Sequence, residues 1–160
     1  MVNRINSDLA NDFGNLAQRV LSMINKNCQG AVPTPGMLKV DDAALLVPAR
    51  GLVDKMRAHI EVQAIHLALT ALWDLVGQAN RYVDSQAPWA LRKTDPERMA
   101  TVLYVLAEVI RHLAILAQPV VPDAAGKMLD QLAIPQNQRD FSNLGEVYML
   151  EPTPPLPKPQ

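Results

Sequence analysis

Between Ile5 and Ile24 the apolar positions Ile5, Leu9, Phe13, Leu16, Val20 and Ile24 step by fours and threes. That spacing lays one stripe along a helix and predicts an amphipathic helix over 5–28 ending at Gly30. Two prolines and a glycine within 31–40 predict a loop, after which Asp41 or Asp42 can cap a second helix. Leu45, Leu46, Leu52, Val53 and Met56 form its apolar face, while Pro48 and Gly51 inside it predict a kink or a late start. A third helix, about 60–85, rests on Val62, Ile65, Leu69, Leu72, Trp73 and Val76, and stops before Pro88, which disfavours helical geometry in the residue ahead of it.

A polar bend carrying Pro88 and Trp89 follows. Thr94 and Glu97 are spaced as a capping box, with Pro96 tolerated in the first turn, so a fourth helix begins there. It holds Met99, Leu103, Leu106, Val109, Ile110, Leu113 and Leu116 at helical spacing up to Pro119. Pro122 and a capping Asp123 open a shorter fifth helix reaching about Ala133. Beyond it the pattern offers at most a helical turn, a short extended piece over 147–150, and an end with five prolines in its last ten residues. The expectation is an all-α antiparallel bundle of about five helices over 1–150 and an extended proline-rich tail over 151–160.

Composition agrees with this picture. The hydrophobic 49% is mostly Leu, Ala, Val and Ile, and aromatics are only 4%, which favours helix packed on helix in a chain long enough to need no staple. Lys and Arg number 15 against 16 Asp and Glu, so no whole-surface attraction draws this chain to a polyanion; a polyanionic partner must be met by local geometry. Cys28 is alone and excludes an internal disulfide, the usage of a reducing compartment, with the cytoplasm as the expectation. No basic segment followed by an apolar core opens the chain, and Pro, Gln or charge interrupts its apolar runs, so no membrane span is expected.

Enzyme signatures are absent from the sequence: there is no glycine-rich phosphate loop, nucleophile elbow or Cys/His pair at metal spacing. His59, His66 and His112 read as helix-face or core residues, and Asp41 with Asp42 as a cap, because adjacent helical positions do not face one point. Two features have two readings each. Asn15, Arg19, Ser22 and Lys26 are spaced i, i+4, i+7, i+11 and form one polar ridge away from the apolar stripe: either a solvated face, or donors for base edges and phosphate. Trp89 beside Pro88 either plugs the end of the bundle or offers its face to an unpaired base. Arg81, Arg92, Lys93 and Arg98 surround it in sequence, offset by Asp84, Asp95 and Glu97. A helical scaffold or partner-binding module with no nucleic-acid role is therefore the alternative.

The runs NDFGNLAQRVLSMINKNCQGAVP (11–33), ANRYVDSQAPWALRK and AILAQPVVPDAAGKMLDQL occur in one order. Together they resemble the C-terminal anticodon-binding domain of bacterial methionyl-tRNA synthetases over nearly the whole chain. The resemblance implies that Asn15 and Arg19 reach anticodon bases, that Lys26 adds a basic contact, and that Trp89, held by Pro88, stacks on the first anticodon base. Asn80 and Arg81 are implied as weaker members of the same face. It further implies recognition of a CAU anticodon, and no cofactor in this domain. ATP, methionine and Mg would bind a catalytic domain whose His-Ile-Gly-His and Lys-Met-Ser-Lys-Ser signatures do not occur here, so the chain reads as an excised or separately expressed domain, inactive by itself. The departures are Pro48 and Gly51, in a helix the family keeps continuous. The proline-rich finish resembles members without an appended tRNA-binding module, and a monomer is expected.

Overall fold

The computed structural model describes residues 2–27, 36–119, 121–132, 134, 137 and 139, with the backbone alone for 2–9 and 131. Its helices are α1 (Val2–Asn27), α2 (Val40–Glu61), α3 (Ile65–Gln86), α4 (Pro88–Thr94), α5 (Pro96–Ala117) and α6 (Pro122–Gln131). Five of these are the anticipated bundle. The glycine stop at Gly30, Cys28, most of the loop over 31–40, the extended piece over 147–150 and the tail over 151–160 lie outside the described residues.

Helix α5 is the axis of the fold. It packs against α1, α2, α3, α4 and α6, and every residue from Thr101 to Ala117 is buried. A helix enclosed on all sides must be apolar all round, which is why α5 is long and apolar enough to cross a membrane by length and composition. In this fold 94% of that stretch is buried inside the protein. The sequence expectation that every apolar run is too short is thus corrected for α5. The outer helices contribute one stripe each: Phe13, Leu16, Val20 and Ile24 from α1, and Leu45, Leu46, Leu52, Val53 and Met56 from α2, all buried as their spacing requires. Each such side chain adds about 1.5–3 kcal/mol of burial.

Buried charge on α5 is paired. Arg111 grips Glu108 through Nη2 to Oε1 at 2.6 Å and Nε to Oε2 at 3.0 Å, one helical turn apart. His112 is fully buried, with Nδ1 2.9 Å from the Glu108 carbonyl, and burial pushes its pKa below the ordinary histidine value despite the opposing pull of Glu108. It therefore stays neutral, as a core histidine.

Several expected boundaries move. Helix α2 runs unbroken through Pro48 and Gly51, with no late start; both sit on the exposed face of the helix. Its N-cap is Lys39, and Asp42 acts from the third helical position, its carboxylate accepting the Lys39 N–H at 2.9 Å. Ile60 belongs to α2 and Val62 to a turn, so the third helix starts at Ile65, and Val62 and Ile65 are exposed rather than core. The cause is the backbone at Gln63, whose φ of 58° ends the helical path. Trp73 is only half-buried against the core.

The Pro-Trp segment is no open bend but the helix α4. Pro88 supplies its first residue, where the missing N–H costs nothing, and Ala87 makes the corner at φ 46°. Thr94 closes α4, its hydroxyl donating to the Ala90 carbonyl at 3.4 Å, and Asp95 caps α5 by accepting the Arg98 N–H at 3.2 Å. A carboxylate one residue nearer the helix displaces the threonine from that role. Asp123 likewise sits in the first turn of α6, with Val121 at the cap.

Candidate nucleic-acid interface

The polar ridge of α1 is solvent-facing: Asn15, Arg19 and Lys26 are exposed and Ser22 half-buried. The stripe of Phe13, Leu16, Val20 and Ile24 holds the opposite face of the helix in the core, and this fixes the direction of the ridge. Trp89 is 51% exposed. Its neighbour Pro88 is buried beneath it and Leu91 packs half-buried on the core, so α4 is anchored by one face and carries the indole on the other. The ring does not plug the end of the bundle.

Two contacts bring these pieces to one end of the molecule. Arg19 Nη2 meets Asp84 Oδ1 of α3 at 3.2 Å, and Arg92 Nη1 of α4 donates to Asn27 Oδ1 of α1 at 3.5 Å. Helix α4 thus lies beside the C-terminal turn of α1, with Lys26 adjacent to the contact. The result is a shallow surface with a flat aromatic face, amide and guanidinium donors, and the cations Arg19, Lys26, Arg92 and Lys93 tempered by Asp84. Such a set can stack a base, donate to base edges and meet phosphate.

The remaining expected residues are arranged differently. Asn80 is half-buried and its amide Nδ2 donates to the Val76 carbonyl of its own helix at 3.2 Å, which leaves its Oδ1 as the available acceptor. Arg81 is exposed but lines a cleft of about 250 Å³ between α2 and α3, with Asp41, Gln78, Tyr82 and Gln86. Among the described residues no group of three His, Cys, Asp or Glu side chains is placed to hold a metal ion.

Sequence reasoning passed over three partners here: Asp84, counted only as an offsetting charge, and the Asn27–Arg92 contact. All are pairings between helices 65 residues apart in sequence, which leave no periodic signal. The exposed Arg19–Asp84 pair adds little to stability, about 0–1 kcal/mol. Its effect is on Arg19: an incoming anion must compete with a carboxylate already in place. Asp84→Asn is expected to leave the thermal midpoint unchanged, and to raise affinity for RNA stem-loops of any sequence several-fold, with the ratio between sequences unaltered. Anisotropy titrations at two salt concentrations check this, and unchanged affinity refutes it.

The family model described as the anticodon binding domain of methionyl tRNA ligase matches residues 32–152. The chain belongs to that family. It is 54% identical over 157 residues to the methionine–tRNA ligase of Rhizobium meliloti, covering 98% of this chain and 30% of the relative. It is 51% identical over 163 residues to that of Mycobacterium tuberculosis, covering 99% of this chain and 31% of the relative. Among solved structures, the apo form of Mycobacterium tuberculosis methionyl-tRNA synthetase superposes with a TM-score of 0.92 at 51% identity, over 99% of this chain and 32% of that one. The same enzyme solved with methionyl-adenylate gives the same values. The chain therefore spans about a third of the length of its relatives, and the all-α bundle is the fold they share with it.

Proposed function

We propose that this chain recognises the anticodon loop of methionine tRNA. Trp89 stacks on the first base of a CAU anticodon, Asn15 and Arg19 read base edges, and Lys26 assists on phosphate or base. Pro88 fixes the platform, while Asn80 and Arg81 contribute at its margin. The observation that carries this reading is the half-exposed indole of α4 held beside the exposed donor row of α1 by the Arg92–Asn27 contact. Anticodon loops present splayed bases, which proteins read by stacking and edge hydrogen bonds rather than through a groove.

Attachment of methionine to the tRNA belongs to the catalytic region that relatives of this name carry outside the matched segment. ATP, methionine and Mg are bound there, and no cofactor is held by this domain. The chain acts as a monomer in the cytoplasm. Binding of a CAU anticodon stem-loop, compared with the same stem-loop carrying a scrambled anticodon at fixed salt, tests the reading. A preference for CAU of about fivefold or more is expected, since one well-made hydrogen-bonded contact to a base edge is worth about 1–3 kcal/mol of discrimination. Equal affinity refutes base reading.

A further inference from the structure

The end of the bundle remote from Trp89 carries an unusual surface. The turn between α2 and α3 exposes Ile60, Val62, Ile65 and Leu67 within eight residues, with Val62 at 72% and Ile65 at 61%. Helix–helix turns ordinarily carry Gly, Asn, Asp or Ser; apolar side chains left in water at this density mark a contact surface. The turn is also preformed. Gln63 N–H donates to the Ile60 carbonyl at 2.9 Å and Ala64 N–H to the His59 carbonyl at 2.8 Å, the paired bonds of a helix-ending motif with Gln63 in the left-handed position. Glu61, Gln63 and His66 form an exposed polar rim.

The direction of α1 says what lies near this end. Arg19 sits beside Asp84, and eight residues further on Asn27 sits beside Arg92 of α4, so α1 runs toward the Trp89 end alongside α3. From Arg19 back to Val2 is about 26 Å of helix, and from Asp84 back to Ile65 about 29 Å, at 1.5 Å per residue. The start of α1 and the α2–α3 turn therefore occupy the same end. In relatives this segment is the C-terminal portion, about 30% of the length, so the rest of the ligase enters through the start of α1.

We infer that the Ile60–Leu67 turn is the docking surface for the region that precedes this domain in methionyl-tRNA ligases. The inference rests on the functional reading above only in taking that region as the partner. An apolar seat at this end fixes the domain to the enzyme body and leaves the α1 ridge and Trp89, about 30 Å away along α2 and α3, free for RNA.

Hydrogen–deuterium exchange tests it, comparing this chain with the same chain joined at Met1 to the N-terminal part of the Rhizobium meliloti ligase, in a preparation that forms methionyl-adenylate. Exchange over 59–68 is expected to slow about tenfold or more in the joined protein, with exchange near Trp89 unchanged. The Val62→Asp, Ile65→Asp double variant restores the fast rates; both side chains are exposed, so the fold tolerates it. Equal rates in the separate and joined forms overturn the inference. Exchange in the separate chain that is already slow and slows further as its concentration is raised assigns the surface to a second copy instead, and overturns it too. Neither outcome depends on stem-loop affinity, so failure here and failure of anticodon recognition are distinguishable.

Discussion

Trp89→Ala lowers affinity for a CAU anticodon stem-loop by about ten- to a hundredfold, because stacking one base on an aromatic face contributes about 1–3 kcal/mol. The fold is expected to stay intact. Half of the indole already faces water, while Pro88 and Leu91 hold α4 to the core beneath it, so the free energy of unfolding in urea falls by no more than about 2 kcal/mol. Trp89→Phe keeps most of the affinity, since a flat π face remains. The slope of affinity against salt is unchanged in both variants, because the ring releases no counterions, whereas Arg19→Ala lowers that slope. Fluorescence anisotropy at several salt concentrations and chemical denaturation followed by circular dichroism measure all of these. A loss of stability above 2 kcal/mol with unaltered affinity would make Trp89 a structural plug and sink the stacking role.

Local patterns made much of this molecule readable in advance. The stripes of α1 from Phe13 onward and of α2 are buried as their spacing predicts, because an amphipathic period of 3.6 has only one way to face a core. Boundaries were less legible. Val62 and Ile65 continue the apolar period and look like core, yet a left-handed Gln63 between them ends one helix and starts the next. Nothing in the local sequence marks it, since Gln is not a residue that favours positive φ. Thr94 and Glu97 match a capping box, but Asp95 competes one residue on and wins, which lengthens the Pro-Trp segment into α4. Of the candidate site, the residues of one helix face could be grouped from spacing. Their cross-helix partners, Asp84 for Arg19 and Asn27 for Arg92, could not, because ion pairs between distant segments have no period.

The least legible feature is the most consequential for stability. Asp42, read as a cap, is fully buried and accepts four hydrogen bonds: Arg98 Nη1 at 2.6 Å, Arg98 Nη2 at 2.7 Å, Tyr82 Oη at 2.6 Å and the Lys39 N–H at 2.9 Å. Every lone pair of the carboxylate is occupied, the condition under which a buried ion pair is tolerated. Arg98 Nη2 also donates to Gln86 Oε1 at 2.7 Å, at the last residue of α3. One latch therefore joins the start of α2, the end of α3 and the start of α5, and its Gln86 arm lies three residues from Trp89, next to the Ala87 corner.

Asp42→Asn or Arg98→Met each leaves a buried partner stranded and is expected to cost about 3–5 kcal/mol in urea denaturation, while the double replacement Asp42→Leu, Arg98→Met recovers much of the loss. Gln86→Ala keeps the ion pair and costs about 1 kcal/mol, yet raises acrylamide quenching of Trp89 by loosening the corner. Acid unfolding separates the groups. Burial alone would raise the Asp42 pKa, but the Arg98, Lys39 and Tyr82 donors outweigh it and hold it below the ordinary carboxylate value. A depressed carboxylate stabilises the fold above the unfolded pKa of about 3.9 and loses that contribution as pH falls through the folded value. His112, also depressed, lowers stability as pH falls from about 6.5, because only the unfolded chain then takes up the proton. Wild type and Asp42→Asn share the His112 loss and run parallel between pH 7 and 5. Below about pH 4 the gap between them closes as Asp42 is protonated in the wild type. A gap that stays constant to pH 2 would mean that the charge of Asp42 contributes nothing and that its hydrogen bonds alone hold the latch.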